Sequence, residues 1–366
     1  MSKPSTSFRD VVDSASKKTQ SVIDDFRSSD IQVSLKRDFR ETYDFYVSDE
    51  EREKLAQMGN FKKSVFSAYY MMRALFLKLS PARRLVVLMA AFVAWGGLSD
   101  AGGQSFIGFL ILFFVLGLEL KDKTEARDEL EEGRAVQLAI MPTTNPTLSG
   151  WEMWIHSSPA NDVGGDLVDH LRLDDGRLTL ALGDVAGKGL PAALLAAKMQ
   201  ATIRAIAPDE NDLSKRAEKI NRIIRRDGLR NRFVSLINLD LIPNSGSIRF
   251  VNAGHHPPIV VCDGGAKELE RGDPAIGLGN DTEFRTHAVE LNDNDLLVVY
   301  SDGVTEARNE IGRFYSEERF DELLQHTHGM SADSLGKRIL LSVEEFVRSA
   351  RQSDDLSLII LRKLPS

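Results

Sequence analysis

Cysteine is nearly absent: Cys262 stands alone among 366 residues. No internal disulfide can form, and no Cys or His/Cys cluster offers the ligand set of a zinc site. A reducing compartment is the simpler setting for such a chain. An excess of basic charge is missing too. The 46 Lys and Arg residues face 54 Asp and Glu, a net of −8, which argues against a nucleic-acid partner. No cleavable signal-peptide pattern opens the sequence, and no internal repeat recurs along it. The Gly-rich turn "GDVAGKG" at 183–189 lacks the phosphate-loop spacing. Three residues rather than four separate Gly183 from Gly187, and no Ser or Thr follows Lys188. A nucleotide cradle is disfavoured there, so the carboxylate at its centre, Asp184, needs another explanation.

Charge is also missing locally. Residues 61–84 carry six basic side chains and no acidic one. Val65, Tyr69, Met72, Phe76 and Leu79 recur there at helical spacing, which predicts a basic amphipathic juxtamembrane helix. The runs 85–99 and 101–118 have no charge and are separated only by Asp100. As helices they reach about 22 and 27 Å against a hydrocarbon core of about 30 Å. With Arg83 and Arg84 before them and Lys121 and Lys123 after them, they predict a two-helix membrane hairpin over 85–118, both flanks cytoplasmic. A polar N-terminal cytoplasmic region fills 1–60. A linker helix is expected over 119–141. Its seam of Ala126, Leu130, Gly133, Gln137 and Ile140 suggests a homodimer through that helix, and Pro142 ends it. Beyond it, strand-like runs at 177–183, 233–242, 247–252, 258–262, 295–300 and 356–361 alternate with helical ones at 190–207, 213–226, 317–326 and 333–350. Consecutive strands without helices between them favour antiparallel sheets with helices packed outside, an α+β fold.

Four acidic clusters share one design. Asp184 closes the apolar run "LALGD". Asp302 closes "LLVVYSD". Asp166 follows two glycines in "VGGDLVD". Asp354 and Asp355 precede the last strand in "SDDLSLIIL". A single Asp at a strand end is usually a turn residue or a cap. Four together resist ionisation unless a cation neutralises them. Hard divalent cations, Mg²⁺ or Mn²⁺, take such oxygen ligands, and the small glycines beside them leave room for water and substrate.

The segments "AVQLAIMP", "SSPANDVGGDLVD", "GDVAGKGLPAALLAAKM", "FVNAGHHPP", "DLLVVYSDGVTEARN" and "SDDLSLIILR" occur in this order. Together they resemble the metal-dependent PPM-type Ser/Thr phosphatases of the bacterial SpoIIE/RsbU-like branch, over residues 135 to 363. The resemblance implies an α-β-β-α sandwich of two antiparallel sheets flanked by helices, here preceded by the membrane hairpin and linker helix, with the phosphatase domain over 142–366. It implies two divalent cations, Mn²⁺ or Mg²⁺. Asp184 would bridge them with the Val185 carbonyl beside it, Asp302 and Asp354 would complete the first site, and Asp166 would serve the second. Asp184, Asp302 and Asp354 are then the catalytic set, and Asp355, Gly183 and Gly303 stand behind it. "DLVD", where aromatic residues often follow the Asp, and Ser357, where Thr is usual, depart mildly from the pattern.

The implied chemistry is two-metal activation of water for in-line displacement at phosphorus. Other phosphatase routes fail on the sequence. A Cys nucleophile would need Arg six residues after Cys262, where Glu268 stands. An aspartyl-phosphate enzyme would need Asp two before Asp302, where Tyr300 stands. His255 and His256 read first as a Pro-braced loop and second as proton donors, and Lys188 reads first as a solvated side chain and second as a contact to phosphate. The expected function is a membrane-anchored protein Ser/Thr phosphatase in the bacterial inner membrane. It would act on a phosphorylated signalling protein resembling an anti-anti-sigma factor, with no nucleic-acid partner. The alternatives are a non-catalytic membrane signalling module that keeps the fold, or a receptor whose soluble part only docks.

Overall fold

The computed structural model describes residues 51, 54–55, 58–97, 104–142, 144–227 and 232–365. Most of the polar region expected over 1–60 lies outside them. The chain divides into two units, one to Lys123 and one from Thr124.

The first unit is helical. Helix α1 runs Asn60–Lys78, α2 Pro81–Gly97, and α3 Gln104–Ile140, the last crossing the division. The break at Leu79–Ser80 fits the proline that follows, because the residue before Pro avoids the helical region. Val65, Tyr69 and Met72, the expected apolar face of α1, are exposed. Arg83 of α2 pairs with Glu119 and Asp122 of α3, each at 2.7 Å.

The membrane hairpin is overturned. Among the described residues, no helix is long and apolar enough to cross a membrane. Helix α2 has 17 residues, about 26 Å, short of the ~30 Å hydrocarbon core, and two arginines sit in its first turn. The apolar part of α3 stops at Leu118, and Glu119, Lys121, Asp122 and Lys123 follow within the same helix. Arg83 is taken up by Glu119 and Asp122 of α3 rather than standing free at a membrane surface. The expected membrane anchor, multi-pass inner-membrane location and membrane partner fall with the hairpin.

The second unit is a four-layer sandwich. One sheet has the order β1-β10-β9-β6-β7, with β1 Trp151–Ser158, β10 Leu356–Lys363, β9 Leu296–Tyr300, β6 Ile259–Cys262 and β7 Gly265–Glu268. The other has the order β2-β3-β4-β5-β8, with β2 Asp166–Arg172, β3 Leu178–Val185, β4 Val234–Leu241, β5 Ser247–Ala253 and β8 His287–Glu290. Every pairing within these sheets is antiparallel. The expected α+β architecture, two antiparallel sheets flanked by helices, is the one observed.

Strand alternation builds three apolar layers. Leu178, Leu180 and Leu182 of β3 meet Leu297 and Val299 of β9 and Ile359 and Leu361 of β10 between the sheets. The alternate residues face outward. Ala181, Leu236 and Val251 pack against α4 (Leu190–Ile206) and α5 (Leu213–Arg226). Val298, Leu358 and Ile360 pack against α7 (Glu317–Leu324) and α8 (Ala332–Val347). The short helix α6 (Asp302–Thr305) follows β9 directly. Fully buried Arg216 of α5 donates to Asp240, Asn238 and Thr179 on the sheet beneath it, so this layer is latched by a paired charge as well as by apolar area.

Candidate active site

Register places the first two carboxylates. Asp166 at the start of β2 is the direct cross-strand partner of Asp184 near the end of β3. Asp184 shares the parity of Leu178, Leu180 and Leu182, and Asp166 that of Val168, so both project toward the mouth between the sheets. The next strand sets Ser235 opposite Asp184.

The other sheet supplies the remaining two at the same end. Asp302 follows β9, and Asp354 precedes β10, its antiparallel neighbour. Ser301 holds the two chain ends together. Its hydroxyl donates to the Asp355 carbonyl at 3.1 Å and accepts from the Ser357 N–H at 2.9 Å. Gly303 allows this approach: a Cβ there would lie 1.9 Å from the Asp355 carbonyl oxygen. A Cβ at Gly183 would lie 2.8 Å from the Ser235 carbonyl oxygen. These two glycines therefore let backbones close on one another behind the carboxylates rather than clear space for water.

Asp355 has a different occupation from Asp354. It is buried, and its carboxylate accepts from the N–H groups of Ala160 at 2.8 Å, Gly165 at 2.5 Å and Asp166 at 3.3 Å. It fixes the loop that delivers Asp166. Asp354 is half-exposed, and Lys188 donates to it at 2.9 Å.

Electrostatics bind the group together. Burial, reinforced by Asp302 and Asp354, pushes the Asp184 carboxyl up to about 7. Burial and the neighbouring Asp354 raise Asp302. Burial holds Asp166 well above the usual carboxylate range, with Asp184 and Asp355 adding to it against the Ser357 hydroxyl. Carboxylates arranged this way ask for positive charge.

The residues fit a divalent cation on three observations. Asp166 Oδ2 is buried without a hydrogen-bond partner. Gly165 leaves open a space where a Cβ would stand 3.3 Å from the Val185 carbonyl oxygen and 3.6 Å from Asp184 Oδ1. Lys188 already places a cation on Asp354. The carboxylates are not drawn into one tight set, however. Among the described residues, no three His, Cys, Asp or Glu side chains stand close enough together to hold a metal ion as placed.

The histidines are braces. Buried His255 has Nδ1 2.9 Å from Ser235 Oγ and Nε2 3.1 Å from the Tyr300 carbonyl oxygen. The carbonyl can only accept, so Nε2 carries the proton and the Ser235 hydroxyl donates to Nδ1. Burial pushes His255 down to about 3, and the neutral ring ties β4 to β9 beneath the site. His256 stacks on Tyr300.

Sequence reading missed two contributors. Gln137, assigned to a dimer seam, is buried against its own domain. Its Nε2 donates to the Gly164 carbonyl at 2.7 Å and its Oε1 accepts from the Gly164 N–H at 3.1 Å. The spacing of four and three that marks the seam marks equally a helix face packed on a domain. Asp169, noted only as a departure, makes two 2.7 Å contacts with Arg204 of α4.

Comparison with known proteins places this geometry. The family described as Stage II sporulation protein E (SpoIIE) matches residues 174–364. Protein IcfG of Synechocystis sp. is 25% identical over 275 residues, covering 67% of this chain and 43% of IcfG. Phosphoserine phosphatase RsbU of Bacillus subtilis is 26% identical over 244 residues, covering 65% of this chain and 71% of RsbU. The chain thus spans less than half of one curated relative and under three quarters of the other. Among solved structures, the SiaA-PP2C domain of Pseudomonas aeruginosa aligns with a TM-score of 0.58 at 22% identity, over 66% of this chain and 98% of that one. The RsbU and RsbW domains of Rv1364c from Mycobacterium tuberculosis align with a TM-score of 0.51 at 24% identity, over 60% and 62%. The fold is that of the PP2C domain, and the chain belongs to the SpoIIE family.

Proposed function

We propose that the chain is a metal-dependent protein serine/threonine phosphatase. The carrying observation is the facing pair Asp166 and Asp184, one with a buried, unpartnered oxygen and the other pushed up to about 7 by burial and by carboxylates from the opposite sheet. Asp166, Asp184, the Val185 carbonyl, Asp302 and Asp354 would hold two divalent cations, Mn²⁺ or Mg²⁺. Such ions supply an activated water and neutralise charge on the phosphoryl group. The chain's own work is placement. Asp355 and Gln137 fix the loop that carries Asp166. The Ser301 contacts register Asp302 against Asp354. His255 holds β4 and β9 at a set spacing without carrying charge.

The name of RsbU, a phosphoserine phosphatase, supports phosphoserine on a protein as the substrate. By the same resemblance that protein is of the anti-anti-sigma type. The full-length chain should release phosphate from a phosphoserine peptide with Mn²⁺ or Mg²⁺ and fall to background in excess chelator. Full activity in chelator would overturn the reading. No activity with either ion would leave the non-catalytic signalling module in its place.

A further inference from the structure

Lys188 sits in the turn between β3 and α4, flanked by Gly187 and Gly189, both at positive φ (116° and 74°). Both glycines hold a backbone conformation that other residues rarely adopt, and the Lys188 side chain between them is exposed. Its ammonium donates to Asp354 Oδ2 at 2.9 Å and to the Ser353 carbonyl at 3.1 Å. Among the described residues, it is the cationic side chain paired directly with any of Asp166, Asp184, Asp302 and Asp354. The pair is open to solvent, the lysine side chain 61% exposed and the aspartate 38%. An exposed pair of this kind is weak and readily exchanged.

The position is awkward for a permanent salt bridge. A divalent ion held by Asp354 and an ammonium held by the same carboxylate would repel at close range. A phosphoserine dianion entering a mouth lined by four carboxylates needs every cation it can reach. Other nearby basic groups are committed to backbone or amide oxygens, Arg232 to the Ala186 carbonyl and Arg351 to Asn161.

We propose that Lys188 is a transferable counter-ion. It neutralises Asp354 while no divalent cation is bound, yields that carboxylate to the cation, and then binds the phosphoryl oxygens of the substrate. The proposal rests on the phosphatase reading above and adds a substrate-binding residue to it.

The test uses the full-length chain as wild type, Lys188→Met and Lys188→Arg, with calorimetry for Mn²⁺ binding. Calorimetry of inorganic phosphate on the Mn²⁺-loaded protein and kinetics on a phosphoserine peptide complete it. Lys188→Met should bind Mn²⁺ more tightly, by up to about five-fold, the change that loss of an exposed competing pair allows. It should bind phosphate about ten-fold or more weakly and raise KM for the peptide to match, as loss of one charge-assisted hydrogen bond predicts. Lys188→Arg should recover most of the phosphate affinity. Unchanged or weaker Mn²⁺ binding in Lys188→Met overturns the proposal, and so does unchanged phosphate affinity and KM. A wild-type chain that binds no Mn²⁺ removes the phosphatase reading itself, a separate result from a wild type that binds and turns over beside an indifferent Lys188→Met.

Discussion

Adjacent aspartates divide two tasks at the mouth of the sandwich. Asp354 faces outward to a cation, whereas Asp355 is buried on three backbone N–H groups. On the proposed two-metal reading, Asp184→Ala, Asp302→Ala and Asp354→Ala should each cut turnover at least about 100-fold, since each would remove a charge that holds the cation. Asp354→Ala should leave the melting temperature nearly unchanged. Asp355→Ala should lower stability by about 1–3 kcal/mol, because buried N–H groups lose their acceptor. Thermal melts beside assays separate the two; a neutral Asp355→Ala with a destabilised Asp354→Ala would reverse the assignment. Asp184 makes a second residue-scale prediction. Its affinity for a proton rises on folding, so without divalent cation it favours the folded state below about pH 4. That contribution is lost as pH climbs through about 7. Melting temperature in chelator should therefore fall across this window. Asp184→Asn should flatten the fall and melt higher than wild type at pH 8 while failing to bind Mn²⁺. A wild-type melting temperature that rises from pH 5 to 8 in chelator would contradict it.

Elements were legible in the sequence where one physical rule acted alone. β9 is apolar on both faces, and β3 and β10 nearly so, because each is covered by a sheet on one side and helices on the other, and such runs stand out; β4 is apolar toward the other sheet but sets Asn238 and Asp240 against Arg216 on its helix side. β2 does not. Its Asp169 and His170 interrupt the apolar run, and the partner that makes Asp169 tolerable, Arg204, lies 35 residues on. The Asp166–Asp184 pairing depends on β2 and its register, so the sequence shows two carboxylates at strand ends without showing that they face each other. The apolar runs 85–99 and 101–118 mislead for the converse reason: the charges that limit them stand inside the same helices, at Arg83, Arg84 and Glu119 to Lys123. Helix α3 carries the element-scale prediction. Gln137 clamps Gly164, two residues before Asp166, by two buried hydrogen bonds. Gln137→Ala should cost about 1–3 kcal/mol and weaken Mn²⁺ binding by loosening the loop. One residue inserted between Leu130 and Gly133 turns the helix by about 100° and should reproduce both effects. Calorimetry showing wild-type Mn²⁺ affinity in both variants would reduce the contact to a tether.

Across the whole second unit, the four carboxylates come in pairs from different sheets. Asp166 and Asp184 belong to one layer, Asp302 and Asp354 to the other. The apolar layer between the sheets holds them face to face along their length, but at this end like charges meet instead of leucines. Like charges at this end oppose close approach of the two layers, so a cation bound there would draw them together. A cation that binds only the folded arrangement stabilises it by RT ln(1 + [L]/Kd), about 2.7 kcal/mol at one hundred times Kd. That stabilisation should be local before it is global, because the far ends of the strands carry no part of the site. Hydrogen exchange with and without Mn²⁺ should show added protection at 158–166, 184–190, 301–305 and 353–356. The opposite turns, near 242–247 and 292–295, should exchange at the same rate in both. Asp302→Asn should abolish the gain in both sheets, including the segment around Asp166 that it does not belong to, since a cation gripping one sheet alone cannot close the mouth. Protection confined to one sheet, or spread evenly over both ends of the sandwich, would show that the carboxylates do not act across the layers.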